Sequence, residues 1–217
     1  MTPARPRPVL RGVSHEVFFF VSLVTGPLLV LGAHTGEARL CVSIYAISTS
    51  AMLGTSALFH RRRWSPEART RMRRADHSTI FLFIAGTYTA VAGLSLTPGW
   101  KELVLGLVWA GALGGIALRW AWLNAPKWAV ALPYVVVGWV AVVALPELLH
   151  KLGVLGLGLM MGGGVLYTLG ALAYARKRPD PWPRVFGYHE IFHALVVAAL
   201  VMHYCLVAFV VLPGVKA

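Results

Sequence analysis

His189 and His193 stand four residues apart, as do Ser56 and His60. On an α-helix that spacing places two side chains one turn apart on a single face. The first pair can therefore chelate one ion, and Ser56 points the same way as His60, about 6 Å further along. A third imidazole, from His60, makes a three-histidine set. That is the composition of a catalytic zinc site whose fourth position is open to water. Three neutral imidazoles leave the ion its full charge, which lowers the pKa of a bound water to about 7. His189-Glu190-Ile191-Phe192-His193 also spells H-E-x-x-H, which in a soluble protein points to a zinc protease with the glutamate as general base. Here only 27 residues follow Glu190 and none is Asp or Glu, so a protease reading must draw its third ligand from upstream, from His60 or Asp76.

The elements that must position these groups follow from composition. Of the 217 residues, 58% are hydrophobic and 13% charged, against about 25% charged in a soluble domain. That excludes a soluble domain, and the hydrophobicity excludes disorder. Cys41 and Cys205, the two cysteines, both lie in apolar runs and offer no disulfide scaffold. A membrane-crossing helix needs about 20 mostly apolar residues. Seven stretches qualify: 17–33, 40–59, 78–96, 103–118, 128–149, 152–175 and 188–212. The expected fold is all-α, an integral membrane bundle of seven helices forming one domain over residues 1–217.

Charge placement orients the bundle, because Lys and Arg accumulate in cytoplasmic loops. Of the 20 Lys and Arg, 16 fall on one side of the seven-span layout: Arg5, Arg7 and Arg11, seven arginines from Arg61 to Arg74, Arg119 and Lys127, and four from Arg176 to Arg184. Arg39, Lys101, Lys151 and Lys216 fall on the other. This predicts a cytoplasmic N-terminus and an outer C-terminus, with an uncleaved first helix. The net charge of +12 is then mainly an orientation signal that can touch anionic lipid headgroups. The expected partners are membrane lipids, and nucleic acid is not among them.

Polar groups at membrane depth are costly and mark function by default. In this topology Ser56 and His60 close helix 2, Asp76 and His77 open helix 3, and His189, Glu190 and His193 open helix 7. Ser14, His15 and Glu16 open helix 1. All of them lie at the cytoplasmic level, although no histidine entered the topology. His34 and His150 fall in outer loops. His203 lies about 15 Å beyond His193 and off its face, which suits a packing or relay residue. Gly158 and Gly162 form a small-xxx-small pair in the glycine-rich helix 6, which suits close packing.

The Ser56-x-x-x-His60 set, the arginine-rich segment, Asp76-His77-Ser78, the Ile84-Ala85-Gly86-Thr87-Tyr88-Thr89 run and the terminal H-x-x-x-H resemble the haemolysin III family over nearly the whole chain. That family is the bacterial branch of the progestin and adipoQ receptor family, within a wider superfamily of membrane hydrolases that includes alkaline ceramidases. Ala90 departs from the proline that usually follows the GTYT run, and Ala75 from a larger apolar residue. The resemblance implies one zinc ion per chain held by His60, His189 and His193, with Ser56 and Asp76 beside its bound water. Asp76 would act as general base or orient the water, and Ser56 as hydrogen-bond donor to an oxyanion. The implied activity is hydrolysis of a lipid amide or ester at the cytoplasmic side of a bacterial inner membrane. Three other classes stand beside it: a cytolytic pore, a receptor-like regulator of membrane lipid homeostasis with structural zinc, and an intramembrane protease using H-E-x-x-H.

Overall fold

A computed structural model describes residues 7–215. Arg5 and Lys216, which entered the charge count, lie outside the described residues. Helix α1 spans Val13–Leu31, α2 Gly36–Arg61, α3 Pro66–Ser95 and α4 Pro98–Ala121. Helix α5 spans Lys127–Gly138, α6 Leu145–Arg176 and α7 Tyr188–Leu206. A 3₁₀ turn at Val140–Ala144 joins α5 to α6, and a π turn at Val207–Val211 extends α7 toward Gly214. The architecture is all-helical, with no strand among the described residues.

The boundaries have local causes. Thr35 caps α2 by accepting from the Ala38 N–H at 3.1 Å, and Ser65 caps α3 by accepting from Ala68 N–H at 3.3 Å. Pro66 and Pro98 occupy the first turn of α3 and α4, where the missing N–H costs nothing. Helix α3 therefore begins twelve residues before the expected Ser78. Arg69, Arg71, Arg73 and Arg74 ride on its first turns rather than in a loop.

The expectation of seven separate spans is corrected. Among the described residues, six helical segments are long and apolar enough to cross a membrane. The expected fifth and sixth spans, 128–149 and 152–175, fall within one helical run, Lys127–Arg176. Two features interrupt that run. Between Gly138 and Ala141 the Tyr88 hydroxyl donates to the Gly138 carbonyl at 2.7 Å and accepts from the Ala141 N–H at 2.8 Å. It thereby serves backbone groups that a broken helix would leave unpaired in an apolar surround. At Gly153 the backbone takes φ 66° and ψ −178°, a conformation nearly closed to residues with a Cβ. The run folds back on itself, since the Lys127 ammonium lies 4.4 Å from the centre of the Tyr174 ring.

Helices α1 to α4 pack as successive neighbours, α5 and α7 pack on α6, and α7 returns to α1. Helix α3 is central: 61% of its most apolar window is buried, against 22% for α1. The shared core includes Val42, Tyr45, Leu53, Phe81, Val91 and Leu206. Large apolar side chains such as Leu31, Val154 and Phe209 face outward, as a lipid-facing surface requires. The α6 glycines admit α7: a Cβ at Gly162 would meet Met202, and one at Gly156 would meet Val210.

Candidate metal centre

His60 sits in the last turn of α2, while His189 and His193 occupy successive turns at the start of α7. Packing of the arginine-rich end brings the three together, and one ligand nitrogen from each lies within 4.8 Å of the others. The Nε2 atoms of His60 and His189 are 3.3 Å apart. A tetrahedral ion with bonds of about 2.0–2.1 Å separates two nitrogen ligands by about 3.3 Å, so the donor set fits a metal ion. His193 Nδ1 is buried without a hydrogen-bond partner.

Asp76, on α3, and Ser56, one turn inside His60 on α2, are both buried and line the same cavity as the three imidazoles. The residues singled out by type and spacing are thus neighbours in space. His77 lines the cavity too, but its Nδ1 meets Arg119 Nη2 at 3.3 Å and its carbonyl accepts from the Tyr134 hydroxyl at 3.1 Å.

His15 is the site residue for which sequence reasoning found no role. From α1 its ring stacks on that of His193, with centroids 3.9 Å apart and planes within 5°. Its Nδ1 lies 2.8 Å from Ser56 Oγ, while its Nε2 is buried without a partner. The depth of Ser14-His15-Glu16 was a signal, but the stacking depends on how α1 is rotated against α7. Glu16 itself faces away and pairs with Arg61 at 2.8 Å.

Glu190 does not line the cavity. One carboxylate oxygen accepts from the Gly187 N–H at 2.8 Å, capping the start of α7, and the other pairs with Arg11. It braces the helix that carries the two histidines. Arg7 donates to the His60 carbonyl at 2.6 Å. The backbone N–H groups of Val9 and Leu10 donate to Arg184 and Val185 carbonyls at 3.1 and 3.2 Å. The N-terminal arginines, expected only to orient the chain, thus strap the ends of α2 and α7 together. Burial, followed by repulsion from Arg69, Arg11 and Arg63, pulls the Arg7 guanidinium below its ordinary pKa.

Two further cations are structural. Arg119, expected in a loop, is buried and caps the C-terminus of α4 through the Trp122 and Leu123 carbonyls at 2.9 and 3.2 Å. Lys127 donates to the Tyr188 hydroxyl at 2.6 Å, with the Tyr188 ring 4.2 Å away.

From the three histidines a cavity of about 140 Å³ runs between the helices, past Met52, Ile84 and Met160 to Leu206. Its wall is mainly apolar, and an apolar cavity of roughly this size admits a hydrocarbon rather than water. His203 and Tyr167 also line it.

The profile of the "Haemolysin-III related" family matches residues 4–204. The chain is 28% identical to "Hemolysin-3" of Bacillus cereus over 216 residues, covering 98% of this chain and 95% of that protein. It is 30% identical to "Hemolysin-3 homolog" of Bacillus subtilis (strain 168) over 189 residues, covering 85% and 84%. A shorter match, 47% over 53 residues, covers 22% of this chain and 12% of an "Adiponectin receptor protein" of Drosophila melanogaster.

Proposed function

The chain belongs to the haemolysin-III related family, and from that premise we propose that it is a zinc-dependent hydrolase of lipid amide or ester bonds. The observation that carries this reading is the convergence of His60, His189 and His193 on one point at the end of a mainly apolar cavity. His60, His189 and His193 would hold the ion, one per chain. Zinc, when bound, supplies a Lewis acid and a water acidic enough to act near neutral pH. Asp76 takes up a proton as general base. Ser56 donates its hydroxyl hydrogen to the oxygen that gains negative charge during acyl transfer. With its hydrogen on Nδ1, which lies 2.8 Å from Ser56 Oγ, His15 would donate to the serine oxygen and so turn the serine hydrogen toward the substrate. The apolar cavity wall holds the lipid chain and excludes water from all but the reacting end.

In the same reading the whole chain is one membrane domain in a bacterial cytoplasmic membrane, with Lys127–Arg176 crossing twice for seven crossings in total. A straight helix of 50 residues would measure about 75 Å against a hydrocarbon core of about 30 Å. The Gly153 break and the Lys127–Tyr174 contact support two passes. The distribution of Lys and Arg supports a cytoplasmic N-terminus and an outer C-terminus. Membrane lipids are then the partners. Apolar side chains facing outward on most helices suit permanent insertion better than a cytolysin that leaves a soluble state. The capping and ion-pairing role of Glu190 disfavours the protease. A regulator with structural zinc would share the same histidines and differ in turnover alone.

Two measurements test the reading. Metal analysis of the purified protein is expected to return about one zinc per chain, lost in His193→Ala; a metal-free wild type refutes the site. Incubation with ceramides and other lipid amides is expected to release fatty acid in the wild type and not in Asp76→Asn. Intact lipids with both proteins would remove the hydrolase and leave the regulator.

A further inference from the structure

His203 lies on α7 ten residues beyond His193, so about 15 Å deeper in the bundle. It is 9% exposed and lines the cavity near the end opposite the metal centre. Its position is built by a neighbour: a Cβ at Gly163 would collide with the imidazole, so only glycine there lets the ring lie flush against α6. In that pose His203 Nε2 stands 3.1 Å from the Met160 carbonyl oxygen. A carbonyl only accepts, so Nε2 carries the hydrogen. An uncharged imidazole that donates from Nε2 presents Nδ1 as a lone pair. Nδ1 is buried with no hydrogen-bond partner.

Tyr167 stands beside it, with ring centroids 5.4 Å apart, and its hydroxyl too is buried without a partner. A lone-pair acceptor and a hydroxyl carried on neighbouring rings of a mainly apolar cavity form an unusual wall. Unpartnered buried polar atoms are destabilising, and a hydrocarbon chain would leave them so. One ligand group serves both: an alcohol oxygen, donating its hydrogen to His203 Nδ1 and accepting from the Tyr167 hydroxyl.

We propose that His203 and Tyr167 form a hydroxyl-recognition subsite in the deep part of the cavity, selecting lipid chains hydroxylated in mid-chain. The proposal rests on the lipid reading of the cavity and names its substrate class more closely. An extended chain advances about 1.2 Å per bond, so a hydroxyl about 15 Å from the reacting carbonyl sits about twelve carbons along it.

The test is competitive binding of 12-hydroxystearate and stearate to the full chain in detergent micelles, against a fluorescent fatty acid, with zinc measured on the same samples. The wild type is expected to prefer the hydroxylated chain by about tenfold. His203→Phe and Tyr167→Phe are each expected to cut that preference to within about threefold while retaining stearate binding. Equal affinities in the wild type overturn the proposal, and that is the result if water satisfies the two side chains. So does failure of either chain to bind, or a preference that survives in both variants. Tyr167→Phe, which removes one oxygen and keeps the ring, carries the test if His203→Phe does not fold. Binding is read without turnover, so a protein that binds hydroxylated chains but lacks zinc or activity would refute the hydrolase and leave the subsite standing.

Discussion

Glu190 separates a motif from its structural context, and its substitution gives a quantitative test. The H-E-x-x-H pattern would make it a general base beside the metal, whereas its carboxylate meets Arg11 and the Gly187 N–H. Side-chain exposure is 2% for Glu190 and 20% for Arg11. Breaking a fully buried ion pair costs about 3–5 kcal/mol and breaking an exposed one costs under about 1 kcal/mol. With one partner in contact with solvent, Glu190→Gln is expected to cost about 1–3 kcal/mol, because Arg11 can recover water and the amide oxygen keeps the cap. Glu190→Ala also removes the cap and adds about 1 kcal/mol. Arg11→Ala with Glu190→Gln should close a double-mutant cycle with a coupling of at least about 1 kcal/mol. The assay is denaturant unfolding in mixed micelles, with zinc content and lipid turnover on each protein. Zinc should stay at the wild-type level in Glu190→Gln, and turnover within about threefold, whereas loss of a general base costs about 10²–10⁴-fold. A Glu190→Gln protein of unchanged stability with turnover reduced a hundredfold would refute the reasoning and restore the motif's usual meaning.

Two other substitutions address the surrounding structure. Tyr88→Phe removes both hydrogen bonds that bridge Gly138 and Ala141 and should lower stability by about 1–3 kcal/mol, read by the same unfolding assay; an unchanged midpoint would mean that the break is held by packing alone. His15→Ala removes the ring stacked on His193 and the partner of Ser56. It should leave zinc stoichiometry unchanged while lowering turnover about tenfold or more, and loss of the metal would instead make His15 a ligand.

Much of the helical layout was legible because hydropathy acts along the chain. The start of α3 at Pro66 was not, although Ser65-Pro66-Glu67 carries a cap, a first-turn proline and an acidic residue suited to the helix dipole. A hydropathy window passes over those signals because the arginines after them are polar, and an arginine-bearing helix extending beyond the lipid scores as a loop. The joined run from Lys127 to Arg176 was missed for the opposite reason. Its two expected spans are both apolar, and α6 runs from Leu145 across the expected boundary between them. The 3₁₀ turn falls inside the expected fifth span, held by a tyrosine from α3, a contact 50 residues away in the chain.

The candidate site divides along the same physical line. Spacing along one helix is a local property, so the His189–His193 and Ser56–His60 pairs could be read directly, and a shared depth suggested that they meet. Which side of a helix faces which neighbour is a tertiary property. The stacking of His15 on His193, the turning of Glu190 toward Arg11 and the admission of His203 by Gly163 all depend on helix rotation, to which depth is blind. That also explains why the same five-residue motif can serve opposite purposes. In H-E-x-x-H the two histidines share a face, while the intervening glutamate, one residue from the first, lies about 100° around the helix. In α7 that direction leads to the N-terminal strap, where Arg11 waits. The motif here is a histidine pair with a brace between its members, and in the proposed hydrolase the chemistry would fall to the carboxylate and hydroxyl that α3 and α2 bring to the cavity.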